Sequence, residues 1–192
     1  MRIYLVLALG MAAIGCATGK PLSSEESSPV RNRTLYQFTQ KSGTLGWSIE
    51  DDVVMGGRSQ GRLFINEAGN AVFSGRISLA NDGGFSSVQA DLPSIEVNNY
   101  QAVKLGLKGD GKRYQLRVDA QPDAYHSYAC DFQTRGDWEV ITIPFEDLQA
   151  IRHGDLLDLP NYPGQTLARL QILIGNTREE TFQLEIDKIW LE

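Results

Sequence analysis

Cysteine and histidine are scarce in this 192-residue sequence, which contains two of each. A zinc site built from these ligands would need Cys16, Cys130, His126 and His153 together, and none of them shows paired-ligand spacing. The same count excludes a disulfide scaffold. An excess of basic residues is also missing, since 18 Lys and Arg stand against 24 Asp and Glu. This balance argues against a nucleic-acid binder, and the inventory favours a binding domain over a metalloenzyme.

The N-terminal residues have the features of a bacterial export signal. The apolar run 3–14 is shorter than the roughly 20 residues that a membrane-spanning helix needs. It ends at A-I-G-C, which resembles a lipobox, in which the cysteine is acylated and becomes the mature N-terminus. We therefore predict a lipoprotein signal peptide over residues 1–15 and lipidation of Cys16; the alternative is an ordinary cleaved signal. Ala17, rather than Asp, follows the cysteine, and by resemblance to bacterial lipoproteins this favours the outer membrane, facing the periplasm.

The segment after the predicted lipid anchor differs in composition from the rest of the chain. Residues 17–33 contain one Leu, one Val and no aromatic residue. Such a segment buries too little apolar surface to offset its ordering entropy, so we predict a flexible tether over residues 16–33. Residues 34–192 are then expected to form one domain, with Cys130 as a buried free thiol.

Apolar and polar residues alternate through most of the predicted domain, and no segment has a convincing helical period. The clearest alternating runs are 71–79, 103–107, 114–118, 170–174 and 182–186. This pattern predicts about ten short strands in antiparallel sheets packed face to face, an all-β sandwich of jelly-roll type. The Asp-Gly pair within residues 109–111 predicts a tight hairpin between the strands on either side of it.

Two short patterns suggest chemistry. Residues 57–61 match G-x-S-x-G, but a serine nucleophile elbow needs a following helix and a strand is predicted here, so Ser59 is interpreted as a turn hydroxyl. Glu50, Asp51 and Asp52 could bind a structural Ca²⁺, because calcium takes six to eight oxygen ligands. The alternative is a solvated acidic turn whose carboxylates accept backbone N–H hydrogen bonds. We predict no catalytic residues, and serine hydrolase and glycosidase activities are disfavoured.

Several motifs occur in an order that resembles one known family. They are W-S-I-E-D-D-V-V-M-G-G-R-S at 47–59, F-S-G at 73–75, N-D-G-G-F-S-S at 81–87, G-D-G-K-R-Y at 109–114 and F-Q-L-E-I-D-K-I at 182–189. This series resembles the complex I intermediate-associated protein 30 family, although Asp51 stands where the family often has Asn. The resemblance implies a galactose-binding-like β-sandwich without known catalytic residues. Mitochondrial members assist assembly of respiratory complex I. A lipoprotein on the periplasmic side would not contact the assembling matrix-side arm of that complex.

Together these observations predict a non-enzymatic, lipid-anchored binding module that assists assembly or stabilisation of a protein complex at the bacterial envelope. The alternative is a periplasmic carbohydrate-binding module, which exposed aromatics among Phe85, Tyr125, Tyr128 and Tyr162 in one cleft would support. Expected partners are an envelope protein or a glycan, and the membrane through the anchor. Two loops supply the candidate binding residues: Asp51, Asp52, Met55, Gly56, Gly57, Asn81, Asp82, Gly83, Gly84 and Phe85.

Overall fold

The computed structural model describes residues 32–192, and the regular structure in this part of the chain is almost entirely β-strand. The strands are β1 (Arg33–Gln37), β2 (Trp47–Asp51), β3 (Gln60–Ile65), β4 (Ala71–Ile77), β5 (Ser86–Glu96), β6 (Ala102–Lys108), β7 (Arg113–Asp119), β8 (Ser127–Gln133), β9 (Trp138–Pro144), β10 (Gln149–Arg152), β11 (Asp155–Leu156), β12 (Thr166–Ile174) and β13 (Glu180–Leu191). Short 3-10 turns occupy Asp52–Met55, Ala80–Asp82 and Phe145–Asp147. Among these described residues, no helix is long and apolar enough to cross a membrane. The predicted signal peptide and Cys16 lie outside them.

The strands form two antiparallel sheets. The six-stranded sheet has the order β3-β4-β13-β6-β9, with β1 pairing with β13. The seven-stranded sheet has the order β11-β10-β8-β7-β12-β5-β2. Buried side chains from both sheets form one core cluster, so the sheets pack face to face. The predicted antiparallel β-sandwich is therefore confirmed.

The alternation predicted from sequence separates the core from the surface. Leu105 and Leu107 of β6 are buried in the same core cluster as Leu116 of β7 and Ile172 of β12. Burying each such side chain contributes about 1.5–3 kcal/mol relative to leaving it exposed. The residues between them face away from the core, and on the seven-stranded sheet these outward residues are mostly polar.

The predicted hairpin at residues 109–111 is wrong. β6 ends in the six-stranded sheet and β7 begins in the seven-stranded sheet, so the segment between them crosses the sandwich. The Asp110 carboxylate directs this crossing, because it accepts hydrogen bonds from the Tyr114 hydroxyl at 3.1 Å and from the Gln183 N–H at 2.9 Å. Gly109 lies so close to Thr134 that an added Cβ would fall 2.2 Å from its side chain. These tertiary contacts override the local turn preference of Asp-Gly.

Cys130 is a free thiol on the inner side of β8, but it is half-buried rather than buried. Burial raises the pKa of this thiol, and the negative charges of Asp147 and Asp131 raise it further. A raised pKa lowers the thiolate fraction, so the environment makes Cys130 a poor nucleophile.

Candidate functional site

The two predicted binding loops meet at the buried carboxylate of Asp52. Its Oδ1 accepts a hydrogen bond from the Ser59 N–H at 3.0 Å, and its Oδ2 accepts one from the Ser59 hydroxyl at 2.5 Å. Oδ2 also accepts the N–H groups of Gly84 at 2.6 Å and Phe85 at 3.3 Å. Asp52 is 1% exposed, so these donors replace water around the charge. We call Asp52, Ser59, Gly84 and Phe85 the Asp52 network.

Ser59 is sealed inside this network. Its side chain is fully buried, and its hydroxyl oxygen accepts the Ser78 N–H at 3.0 Å while donating to Asp52. A strand, β3, follows it from Gln60, as predicted from the sequence. A hydroxyl with no access to solvent and both hydrogen-bonding roles occupied cannot attack a substrate. The environment of Ser59 therefore supports a structural role.

Asp51, the neighbouring carboxylate, joins three strands. Its Oδ2 accepts the Gly61 N–H of β3 at 3.0 Å, and its Oδ1 accepts the Ser86 hydroxyl of β5 at 2.5 Å. Because Asp51 ends β2, these contacts tie the outer strand of one sheet to the outer strand of the other. Both signature carboxylates thus accept hydrogen bonds from protein groups, as the acidic-turn alternative expected, but the carboxylate of Asp52 is enclosed rather than solvated.

Gly57 makes the close packing around Asp52 possible. A Cβ built on Gly57 would lie 2.2 Å from Asp52 Oδ1, and one built on Gly83 would lie 2.7 Å from Oδ2. The Asn81 side-chain amide donates to the Gly56 carbonyl oxygen at 2.9 Å and so links the loops a second time. The glycines therefore allow the carboxylate to be enclosed.

The remaining candidate residues make fewer contacts in this region. Met55 ends the first 3-10 turn, and its side chain lies outside the described part of the chain. Asp82 is exposed and adopts a left-handed backbone with φ of 58°. Phe85 is half-buried beside Gly175. The ten candidates therefore form one contiguous region, but the Asp52 carboxylate at its centre faces inward.

The electrostatics of Asp52 follow from its enclosure. Burial alone would raise the pKa of this carboxyl, but hydrogen bonds from the Ser59 hydroxyl and three backbone N–H groups outweigh burial and lower it. The group therefore stays ionised at neutral pH without a cation. Within residues 32–192, no three His, Cys, Asp or Glu side chains converge as a metal site would need. The calcium alternative remains an untested prediction.

An accessible groove lies elsewhere, on the outer face of the seven-stranded sheet. It contains a cavity of about 290 Å³ whose floor is formed by β7 and whose rims are formed by the segments around Gly154 and Asn176. The residues lining this cavity are Arg113, Tyr114, Gln115, Arg117, Asp131, Ile151, Gly154, Leu173, Gly175, Asn176 and Thr177. We refer to this cavity and the outward-facing side chains beside it on β12, β5 and β2 as the groove.

Strand register arranges the groove side chains in rows. Arg117 of β7 lies opposite Gln171 of β12, which lies opposite Gln89 of β5. In the adjacent row, Gln115 lies opposite Leu173 and Asp131. Strands are about 4.8 Å apart, so the five strands from β8 to β2 give a face about 19 Å wide.

Hydrogen bonds hold the polar groups of the groove in place. The Gln115 side chain accepts from Arg117 Nε at 2.6 Å and donates to Asp131 at 2.7 Å. Gln171 donates to the Ser87 hydroxyl at 2.9 Å. Arg169 Nε lies 2.7 Å from an Asp91 oxygen, and this hydrogen bond raises the pKa of Arg169. A pre-ordered polar face loses less conformational entropy when it binds.

Arg117 is the most strongly desolvated cation of the groove. Burial lowers the pKa of its guanidinium, while Asp131, Glu50 and Asp119 oppose that shift. An arginine remains protonated at neutral pH, so its charge is retained. Its Nε donates to Gln115, whereas its terminal nitrogens make no hydrogen bond to any residue in 32–192. These terminal donors are available to a ligand.

The groove carries nearly balanced charge. Three arginines, Arg113, Arg117 and Arg169, share it with four carboxylates, Glu50, Asp91, Asp119 and Asp131. A ligand with large net charge of either sign would meet repulsion there. The face therefore fits a ligand rich in hydroxyl or amide groups, or a peptide that carries both charges.

The opposite sheet has a second depression of about 710 Å³. Its charged residues are mainly basic, including Arg62, Arg76 and Lys112. Lys112 is paired with Asp110 at 2.6 Å, and the Arg62 guanidinium packs over the Phe64 ring at 5.6 Å. We take Arg62 as a reference position for a charged surface outside the groove.

The four aromatics considered for glycan binding do not share a cleft. Tyr162 is buried, its hydroxyl donates to the Thr166 carbonyl at the start of β12, and half-buried Tyr128 packs on its ring at 5.2 Å. Phe85 lies beyond the opposite end of β12, next to Gly175. Tyr125 is exposed and stacks under the Arg152 guanidinium at 3.8 Å. The structure thus offers a polar sheet face rather than an aromatic cleft.

Sequence reasoning did not identify the groove residues. Arg113, Gln115 and Arg117 are the polar members of an alternating strand, which marks them as outward-facing. Nothing local indicates that β7 lies beside β12, about 50 residues further along the chain. The available signal therefore defined the face of each strand but not the composite surface.

The fold and the groove define a β-sandwich domain of the galactose-binding-like, jelly-roll class with a polar outer sheet face. Residues 36–186 match the model of the family described as complex I intermediate-associated protein 30, and the chain belongs to this family. The resemblance noted from the sequence is confirmed.

Solved structures that share the fold include carbohydrate-binding modules. The family 11 module of the cellulosomal cellulase Lic26A-Cel5E of Clostridium thermocellum is 16% identical, with a TM-score of 0.61, covering 85% of this chain and 95% of that one. The Clostridium thermocellum family 11 module in complex with a β-1,3-1,4-mixed-linked tetrasaccharide gives 16% identity and a TM-score of 0.60, covering 85% and 96%. A mutant family 29 module gives 10% identity and a TM-score of 0.52, covering 84% and 92%. At these identities the likeness shows the fold alone.

Proposed function

We propose that this chain is a non-enzymatic binding module that assists assembly or stabilisation of a protein complex at the bacterial envelope. The observation that carries the proposal is the contrast between the enclosed Asp52 network and the accessible groove. The Ser59 hydroxyl and the Asp52 carboxylate are buried and hydrogen-bonded to each other within the fold. The terminal nitrogens of Arg117, by contrast, remain available to a ligand. Membership of the complex I intermediate-associated protein 30 family supports a role in the assembly of a protein complex.

The groove suits a polar segment of a protein partner. Arg117 and Arg113 offer donors to carbonyl and carboxylate oxygens, and Asp131 offers an acceptor to amide or ammonium groups. Because the two kinds of charge alternate, they would determine which segment binds and in which register more than how tightly it binds. Leu173 adds an apolar element to the cavity floor, although its side chain is already largely buried.

We further propose attachment to the outer membrane through a lipid on Cys16, with the domain facing the periplasm. Two or three acyl chains would anchor the protein firmly, since each buried CH₂ contributes about 0.8 kcal/mol. Mass spectrometry of the mature N-terminal peptide tests this attachment directly. A peptide that begins at an unmodified residue other than Cys16 would overturn it.

The protein-partner proposal is tested by crosslinking and co-purification. The tagged full chain is expressed in its native bacterium, crosslinked in intact cells, solubilised and purified alongside a matched outer-membrane lipoprotein. We expect one or a few envelope proteins to be enriched reproducibly with the chain and not with the reference lipoprotein. Identical sets of proteins from both purifications would contradict the proposal.

Carbohydrate binding is the second candidate, and the groove favours it specifically. Guanidinium, amide and carboxylate groups lie side by side in an almost neutral face, and such planar groups can bond pairs of adjacent sugar hydroxyls. The solved modules of the same fold include one in complex with a mixed-linked tetrasaccharide. Calorimetry with that tetrasaccharide and with envelope polysaccharides tests this candidate. Lack of heat above the dilution control for every saccharide would eliminate it.

A further inference from the structure

The strand β9 has one free edge. It pairs with β6 through all seven of its residues without a register shift, and no other strand in 32–192 pairs with it. Phe145 follows β9 in the same register, and its N–H donates to the Gln101 carbonyl at 2.8 Å. Backbone groups of alternate residues in an antiparallel strand point to the same side, so the odd-numbered residues of β9 direct theirs toward β6. The backbone groups of Trp138, Val140 and Thr142 therefore point outward from the sheet.

This edge carries only part of the protection usual for edge strands: it has no bulge, and its one charged residue, Glu139, lies on the same face as buried Ile143 and accepts the Arg135 N–H. Trp138 and Val140 are 48% and 57% exposed, and Thr142 is uncharged. Pro144 limits pairing at the end of the strand alone. Elsewhere the edge of β3 is occupied in part, because the Gly61 N–H donates to Asp51.

We propose that the free edge of β9 pairs with β9 of a second copy of this chain. Antiparallel pairing about a two-fold axis through Val140 places Val140 opposite Val140 of the partner subunit and Trp138 opposite Thr142 of the partner subunit. This register forms about six backbone hydrogen bonds from groups that otherwise contact water. It places no like charges opposite each other at the paired, outward-facing positions.

Charges beyond the strand ends complement each other in the same register. Extending it by three residues brings the segment that carries Arg135 alongside the 3-10 turn of the partner subunit, where Glu146 and Asp147 lie. Arg135 contacts Glu139 of its own chain at 3.8 Å, yet its side chain remains 85% exposed. The two-fold axis repeats this opposite-charge pairing on the other side.

The expected dimer is weak and leaves the groove open. One strand pair with two tryptophans covers less area than the roughly 1,600 Å² of a standard interface, so association should depend on concentration. β9 belongs to the six-stranded sheet, whereas the groove lies on the seven-stranded sheet. Dimerisation is therefore independent of the function proposed for the groove, and two copies would present two grooves.

Sedimentation equilibrium of the predicted mature chain, residues 16–192 with Cys16→Ser, tests the dimer, so that neither lipid nor the apolar signal peptide drives association. We expect the apparent mass to rise from that of the monomer toward twice that value as the concentration increases to about 1 mM. Val140→Lys should weaken dimerisation at least about tenfold. Val53→Lys, which changes another valine that is 57% exposed, should leave it unchanged.

A charge exchange tests the register. Arg135→Glu and Glu146→Arg should each weaken the dimer, and the double variant should restore it, while circular dichroism confirms that all variants are folded. A monomeric mass at every concentration would overturn the proposal. A dimer unaffected by Val140→Lys would also overturn it, because the interface would then lie elsewhere. The same holds if the double variant dimerises no more strongly than the single variants.

Discussion

The Asp52 carboxylate accepts a 2.6 Å hydrogen bond from the Gly84 N–H, although the two residues are 32 positions apart in the chain. The contact joins the acidic motif after β2 to the glycine motif before β5. The hydroxyl of Ser59, the residue immediately before β3, donates a hydrogen bond to the same carboxylate. The family signature therefore acts as one structural unit that connects the two sheets.

Removing the negative charge of Asp52 should destabilise the domain. In Asp52→Asn, one oxygen is replaced by an NH₂ group that faces N–H and O–H donors, so buried donors lose their acceptor. We expect the free energy of unfolding to fall by about 2–4 kcal/mol. Urea denaturation followed by tryptophan fluorescence measures this change.

Asp82→Asn is the matched control, because Asp82 is exposed in the adjacent loop. It should change the free energy of unfolding by less than about 0.5 kcal/mol. Equal effects of the two substitutions would show that Asp52 does not hold the loops together.

The lowered pKa of Asp52 predicts a dependence of stability on pH. Between the folded pKa and the ordinary aspartate pKa of about 3.9, the unfolded chain binds more protons than the native state. The stabilisation from Asp52 is therefore fully present above the ordinary pKa and is lost as pH falls through the lowered folded pKa.

Unfolding free energies of the wild type and Asp52→Asn, measured from neutral to strongly acidic pH, test this dependence. The difference between the two proteins should be constant above about pH 5 and should narrow as the pH is lowered below about 4. A difference that stays the same down to the lowest pH would contradict a depressed Asp52 pKa.

Gly57→Ala should destabilise the domain through a steric conflict. The new Cβ would lie 2.2 Å from Asp52 Oδ1, so the network must shift to admit it. We expect a loss of about 2–3 kcal/mol. Gly136→Ala is the control, since no atom lies within 4 Å of its Cβ position. Differential scanning calorimetry compares them, and equal melting temperatures would refute the enclosure of Asp52.

Sequence patterns predicted which way each strand faces but not how the strands are arranged. Leu105 and Leu107 alternate with Lys104 and Lys108, and this period alone places the leucines in the core. The hairpin prediction at 109–111 failed, because Asp110 bonds to Gln183 of β13 and carries the chain between the sheets. Local turn preferences contain no information about such distant contacts.

The sequence likewise predicted only part of the candidate site. The sequence marked Asp52 and Gly84 as candidate binding residues in two separate motifs, but it indicated neither that they contact each other nor that the carboxylate faces inward. The groove depends on Arg117 and Gln171 lying opposite each other on β7 and β12. That pairing depends on the order of strands in the sheet, which no single segment of the sequence specifies.

The central claim is that the groove binds the ligand of this domain. The most direct measurement is quantitative co-purification of crosslinked partners with three forms of the full chain: wild type, Arg117→Ala and Arg62→Ala. Arg62 lies outside the groove, on the other sheet, and matches the change in charge. We predict that Arg117→Ala reduces recovery of the envelope partner at least about tenfold, as loss of a desolvated charge contact should, while Arg62→Ala recovers as much as wild type. Equal recovery with Arg117→Ala and wild type, or a loss confined to Arg62→Ala, would contradict the assignment of function to the groove.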